Sequence, residues 1–252
     1  MSDQSRQTKS ARRDEARRKR IELERQMARA RRNRTIAIVV AVIVVAGIAA
    51  LALTRPKSES ATSTRASTLL ASAKTEATAA GCTDVQQIAP YQPVDQDRAH
   101  IGSDAGPTEM PALSTYPSVP PTSGPHSGTP LGAGVYASPP PLDQLIHSLE
   151  HGAAIVWYDP SVSGQALTDI QDFYRDPEVG SRVIVAPYDY PDQGAAGSLP
   201  AGTGMALVSW HHLETCTDVN LAAAFGFTAR YAAPSFPGQG YLGDAPEPGA
   251  AI

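Results

Sequence analysis

A run of twenty uncharged residues near the N-terminus places the strongest constraint on this chain. Residues 35–54 read T-I-A-I-V-V-A-V-I-V-V-A-G-I-A-A-L-A-L-T and follow residues 1–34, which hold 13 Lys or Arg and five Asp or Glu. A helix rises about 1.5 Å per residue, so this run would span about 30 Å, the thickness of a bilayer core. The basic side of a span faces the cytoplasm. The pattern predicts a single-pass cell-membrane protein with a cytoplasmic N-terminus and its C-terminal domain outside.

A cleaved signal peptide is the alternative interpretation, with Ala50-Leu51-Ala52 as the cleavage site. Signal peptides have short basic regions and apolar cores of about 7–15 residues, whereas both segments are longer here. We therefore expect an uncleaved transmembrane helix. The basic segment 1–34 predicts a cytoplasmic helix attracted to anionic membrane lipid. It has no aromatic residues, and nucleic acid is not an expected partner.

Composition divides the rest of the chain into three parts. Residues 55–80 are rich in Ser, Thr and Ala, which predicts a flexible linker. Residues 81–241 are enough for one hydrophobic core and are expected to form an extracytoplasmic globular domain. Residues 242–252 contain two prolines and predict a frayed tail.

The chain has two cysteines, Cys82 and Cys216. An even count in an oxidising compartment predicts a disulfide bond. That bond would close a loop of about 135 residues and stabilise the fold by about 4–5 kcal/mol. A free reactive thiol is the alternative. The two cysteines do not form a C-x-x-C motif, so thioredoxin chemistry is not expected from the sequence.

Helical and strand patterns alternate in the second half of the globular domain. Periodicity and capping residues predict helices and buried strands; the helices fall at 142–151, 165–174 and 219–232, and the strands at 153–158, 182–188 and 204–213. A strand, a crossover helix and a strand favour a parallel pair, to which the third strand adds antiparallel. The first half is Pro/Gly-rich and irregular. The predicted class is α+β with a small mixed sheet, and an open α/β layer is the alternative.

Three of the six histidines lie close together in the sequence, at His126, His147 and His151. His147 and His151 are four residues apart, so on a helix their rings share one face, at a spacing that suits a single metal ion. His126 ends the rigid segment P-P-T-S-G-P-H. We expect one Cu or Zn ion, which imidazoles suit. Glu150 is expected as a further ligand or as the acceptor that orients an imidazole.

Other side chains are weaker candidates for the same centre. Asp143 is a second carboxylate on the predicted helix, and Met110 or Met205 would supply sulfur to copper. His211 and His212 are adjacent, so on a strand they face opposite ways and at most one reaches the centre.

The pattern as a whole resembles a known bacterial family. The motifs are P-P-T-S-G-P-H, then G-V-Y, then L-I-H-S-L-E-H-G with the strand I-V-W-Y, and later V-I-V-A-P-Y and A-L-V-S-W. Over residues 95–232 the chain is similar to the family catalogued as domain of unknown function 3105. The resemblance implies a single-span anchor with the domain outside, and it implies no activity. It adds His100 to the candidate ligands, because members tend to carry a histidine before the P-P-T-S-G segment.

Two alternative functions remain open. Residues 147–151 also read H-x-x-E-H, the inverted zincin motif, in which Glu150 would activate a zinc-bound water and Glu214 would be the third ligand. In the other alternative no metal is bound. The histidines then hydrogen-bond backbone carbonyls and fasten the loop to the helix, and the domain docks on another membrane or envelope protein. The sequence does not establish a reaction.

Overall fold

The computed structural model describes residues 60–252, and the predicted segments 1–34 and 35–54 lie outside that part. Within residues 60–252 no helix is long and apolar enough to cross a membrane. A helix of 19 residues does occur there, but it is rich in Ser and Thr and carries Arg65, Lys74 and Glu76. The prediction of a membrane-spanning helix and a cell-membrane location is therefore not supported, and we set it aside.

The described residues form a mixed α+β domain. In chain order the helices and strands are α1 (Ala61–Ala79), β1 (Gln86–Gln87), β2 (Gly134–Val135), α2 (Leu142–Glu150), β3 (Ala154–Tyr158), α3 (Gln165–Tyr174), α4 (Pro177–Gly180), β4 (Val183–Pro187), β5 (Met205–Ser209), β6 (His212–Cys216) and α5 (Leu221–Tyr231). Short 3₁₀ helices lie at Val94–Gln96, Leu113–Thr115 and Pro191–Gly197.

The strands form a six-stranded sheet in the order β1-β6-β5-β3-β4-β2. Strands β3 and β4 are parallel, and β5 runs antiparallel to β3, as expected. The predicted strand at 204–213 is wrong in its second half. The chain reverses after Ser209, and β6 pairs antiparallel with β5. His211 is the second residue of the two-residue turn and has a φ of 59°, a left-handed conformation that residues other than glycine rarely adopt.

Buried apolar side chains cover both faces of the sheet, because neighbouring residues of a strand point to opposite sides. On one face Val156 packs with residues of α1, α3 and α5. On the other face Trp157 packs with Leu145 and Leu149 of α2 and with Tyr116 of the Pro/Gly-rich chain. We call these the helical face and the loop face. The irregular first half of the domain is therefore a core layer, and it carries His126.

The predicted flexible linker at 55–80 is wrong over residues 61–79, which form α1. The Ser60 hydroxyl accepts a hydrogen bond from the Ser63 amide and caps the helix. Small side chains allow close packing against α5: a Cβ atom added to Gly226 would lie 2.7 Å from the Cβ of Ala73. The predicted Cys82–Cys216 disulfide is confirmed, and it joins the chain after α1 to the end of β6.

The α1–α5 contact yields a stability prediction. We expect Gly226→Ala to destabilise the protein by about 1–2 kcal/mol, because the new methyl group overpacks the contact with Ala73. Helix propensity alone predicts the opposite, a gain of about 1 kcal/mol. Urea unfolding of the full chain measures the difference. The control is Gly240→Ala, whose added Cβ meets no atom within 4 Å. A stabilised Gly226→Ala variant would show that α1 does not pack on α5 in this way.

Candidate metal centre

A buried carboxylate, Asp97, fastens the Pro/Gly-rich loop. One oxygen accepts hydrogen bonds from the Ser123 hydroxyl and from the Tyr91 amide, each at 2.6 Å. The other lies 2.9 Å from Nε2 of His211. Burial raises the pKa of Asp97, but the hydrogen bonds from His211, Ser123 and Tyr91 outweigh burial and lower the pKa below its ordinary value. The loop is thus held by an ionised group.

Backbone pairing places His100 beside His126. The His126 amide donates to the carbonyl of Ala99 at 3.0 Å, and the Ile101 amide donates to the carbonyl of His126 at 2.7 Å. The two imidazole rings then lie with centroids 5.1 Å apart. The histidine that the family resemblance pointed to is therefore a neighbour of His126 through main-chain hydrogen bonds.

Helix α2 supplies the other ring of the cluster and its carboxylate. Its first turn follows Pro141, and Leu145 and Leu149 bury its inner side in the loop-face core. His147 and Glu150 are also buried, at 5% and 3% exposure, because the Pro/Gly-rich loop covers this side of α2. His151 caps the helix, and its ring meets that of His147 with centroids 4.4 Å apart.

Three of the imidazole rings each direct one nitrogen to a backbone carbonyl. The contacts join Nδ1 of His126, His147 and His151 to the carbonyl oxygens of Gly124, Ser127 and Ala251, at 2.8, 2.6 and 2.6 Å respectively. A carbonyl only accepts hydrogen bonds, so each Nδ1 carries a proton. This leaves each Nε2 facing the other members of the cluster.

Two of the remaining ring nitrogens lie near the carboxylate of Glu150. Nε2 of His126 lies 2.9 Å from Oε2 of Glu150, and Nε2 of His100 lies 3.9 Å from the same oxygen. One potential ligand atom from each of His100, His126, His147 and Glu150 falls within 4.8 Å of the others. His151 lies at the edge of this group, with its Nε2 2.9 Å from that of His147. All five predicted site residues are therefore brought together.

Charge around the cluster keeps Glu150 ionised and His147 neutral. Burial raises the pKa of Glu150, but hydrogen bonds from His126 and Arg98 outweigh burial and lower it to about 2. The Arg98 contact joins its Nε to Oε1 of Glu150 at 2.7 Å. Burial lowers the pKa of His147, and the neighbouring histidines lower it further, against the opposing effect of the Ser127 carbonyl. Ionised carboxylate and neutral imidazole are the forms that bind metals.

The predicted frayed tail is instead packed against this centre. The Glu247 amide donates to the carbonyl of Glu150 at 3.0 Å, and the Gly249 amide donates to the carbonyl of His151 at 3.1 Å. The Glu247 carboxylate lies 3.2 Å from Nη2 of Arg98. The tail carries two prolines, but the last carbonyl groups of α2 have no partner within the helix and accept hydrogen bonds from the tail. Sequence reasoning missed both Arg98 and Glu247.

The other predicted candidates lie away from the cluster. His211 bonds to Asp97, and Nδ1 of His212 bonds to the carbonyl of Trp210 at 2.8 Å. Met205 is buried on the helical face, and Met110 packs at the edge of the loop-face core. Glu214 groups with the two cysteines in place of the histidines. Asp143 approaches the loop through its backbone, since its carbonyl accepts from the Ser127 amide at 3.2 Å.

Fold and cluster together define a small α+β domain with a buried centre of histidine and glutamate. The family described as "Protein of unknown function (DUF3105)" matches residues 109–245, more than half of the chain, and the protein belongs to that family. The matched region contains His126, His147, Glu150 and His151, whereas His100 precedes it. No curated protein and no solved structure matches the chain.

The buried Glu150–Arg98 contact yields a second prediction. We expect Glu150→Gln to lower the free energy of unfolding at pH 7 by about 2–4 kcal/mol, because it leaves His126 and Arg98 without their counter-charge. The folded-state pKa of about 2 lies below the ordinary value of 4.5. The stabilisation is therefore complete above pH 4.5 and is lost as the pH falls through the folded pKa.

Denaturant unfolding of both proteins between pH 7 and pH 3 measures this effect. The gap between wild type and Glu150→Gln should narrow as the pH falls below 4.5. Asp172→Asn is the matched control, since it removes an exposed ion pair with Arg175 and should change stability by less than about 1 kcal/mol. A gap that is constant with pH would contradict an ionised Glu150 in the folded protein.

Proposed function

We propose that this domain binds one divalent transition-metal ion, zinc or copper(II), through His100, His126, His147 and Glu150. The observation that carries the proposal is the arrangement of the rings: the buried ones have Nδ1 fixed by a carbonyl, so that Nε2 points into the cluster. Imidazoles held in this manner by a backbone acceptor are typical of metal ligands, because the hydrogen bond sets both tautomer and orientation.

The number of protons in the cluster supports the same proposal. Both nitrogens of His126 face acceptors, the Gly124 carbonyl and the Glu150 carboxylate, so without a metal both must be protonated. The His147–His151 contact at 2.9 Å joins two Nε2 atoms. Since both Nδ1 atoms already donate to carbonyls, one of the two Nε2 atoms must carry a second proton. A metal ion would replace these protons, which is the usual coupling between metal binding and proton release.

The donor set favours zinc or copper(II) over copper(I). It consists of imidazole nitrogens and a carboxylate oxygen, which suit zinc and copper(II), whereas thiolate and thioether sulfur select copper(I). Met205 lies on the opposite face of the sheet. The His100 side chain is 45% exposed while His126 is fully buried. An ion would therefore reach the cluster from the His100 side.

Hydrolysis through the H-x-x-E-H motif is not favoured by this geometry. Both oxygens of Glu150 are engaged, one by Arg98 and one by His126. Its pKa of about 2 makes it a weak base for activating water. Glu214, the third ligand in that hypothesis, is not in the cluster. We therefore propose metal binding without assigning a reaction.

Calorimetric titration of the metal-free full chain with zinc tests the proposal. We expect one ion per chain, with release of about two protons at pH 7. Repeating the titration in buffers of different ionisation enthalpy gives the proton count. Copper(II) is titrated in parallel, and the tighter of the two identifies the preferred ion.

Two variants separate the ligands from other histidines. His100→Ala should weaken zinc binding at least about tenfold while changing the thermal midpoint of the metal-free protein little, because the ring is half-exposed. His212→Gln changes a histidine outside the cluster and should bind zinc like the wild type. Absence of binding to both metals, or equal affinity in all three proteins, would overturn the proposal. The His147–His151 contact would then be held by a proton alone.

A further inference from the structure

A second group of reactive side chains lies on the helical face of the sheet. There α1 and α5 border a pocket of about 480 Å³, within the size range of small-molecule sites. Its apolar wall includes Leu70, Ala73 and Phe227. Cys82 and Glu214 also line it. The pocket is therefore lined by one cysteine of the disulfide and by a glutamate, beside an apolar wall.

The carboxyl group of Glu214 lies close to the disulfide bond. One of its oxygens and both sulfurs of Cys82 and Cys216 fall within 4.8 Å of one another. Glu214 is 8% exposed, and no residue among 60–252 donates a hydrogen bond to its side chain or pairs with it as a cation. Burying an unpartnered carboxylate is unfavourable. This group is therefore not explained by a role in holding the fold together.

We propose that Cys82–Cys216 is a redox-active disulfide that a low-molecular-weight thiol reduces from this pocket, with Glu214 as the proton donor to Cys216. Cys82 is the sulfur attacked, because it lines the pocket, whereas Cys216 is 1% exposed. The cysteines are 134 residues apart, so the sequence contains no short cysteine motif that would indicate this chemistry.

The reaction balances with two thiols. The first loses its proton to water, and its thiolate attacks the Cys82 sulfur, forming a mixed disulfide and breaking the Cys82–Cys216 bond. The Cys216 thiolate leaves and takes the proton of the Glu214 carboxyl, which water then replaces. A second thiolate attacks the sulfur of the bound thiol and releases Cys82, which takes a proton from water. Two thiols are oxidised to one disulfide, and the protein gains two thiols.

Surrounding charge supports this role for Glu214. Burial raises its pKa, and the nearby Asp84 carboxylate raises it further, to about 7. A group with this pKa can both give and take a proton at neutral pH. The titratable or charged groups facing it from the packed elements are Lys74, Asp84, Arg230, Tyr231, His212 and Asp244.

The test measures reduction of the disulfide in the folded full chain. Dithiothreitol is the probe, and trapped thiols are counted by alkylation and intact mass between pH 5.5 and 8.5. After correction for the thiolate fraction of the probe, we expect an inflection near pH 7 in the wild type. Glu214→Gln should reduce at least about tenfold more slowly at pH 6.5 and lose the inflection. Asp84→Asn should move the inflection to lower pH, because it removes a like charge.

Glu76→Gln is the matched control: Glu76 lies on α1, accepts a hydrogen bond from the side chain of Asn220 at the start of α5, and does not line the pocket. It should reduce like the wild type. Thermal midpoints at pH 6.5 check that every variant is folded. A purely structural disulfide gives a different result: reduction levels off at the rate of global unfolding as dithiothreitol increases. That result, or a Glu214→Gln profile equal to the wild type, would overturn the proposal.

Discussion

The loop face of this domain depends on the contacts of Glu150. This residue ends helix α2. Its carboxylate binds Arg98 and His126, which belong to two different irregular segments. Its backbone carbonyl receives the Glu247 amide from the C-terminal tail. Segments without helix or strand must satisfy their polar groups in some other way when they are buried. Here one ionised side chain and one carbonyl supply those partners, so three irregular segments are ordered at a single point.

Elements with a local signature could be predicted from the sequence, whereas those that depend on distant contacts could not. Helix α3 was predicted at 165–174 and is observed over those residues, because Ile170 and Phe173 repeat at helical spacing. Helix α1 has no apolar stripe, and its packing depends on Gly226, about 150 residues away. The β5–β6 hairpin was missed because nothing near His211 marks it as a residue with positive φ.

The candidate site shows the same division. His147 and Glu150 are positioned by one short helix, so their spacing was informative. His126 ends a rigid segment that sequence reasoning could recognise, although its contact with Glu150 depends on tertiary folding. Arg98 and the tail carbonyl of Ala251 join from opposite ends of the domain. Backbone acceptors can come from any residue type, so sequence gives no signal for them.

Fastening the loop and holding a metal ion are therefore not opposed roles for these histidines. Each Nδ1 contact with a carbonyl fixes a ring against the backbone, and the same contact directs Nε2 towards Glu150 or His151. The two roles differ in whether protons or a metal ion lie beside the Nε2 atoms. Protons can lie there, at the cost of charging buried rings, for which burial is unfavourable. A divalent ion supplies the charge while the rings stay neutral, and binding to the folded state alone would then stabilise the whole loop face.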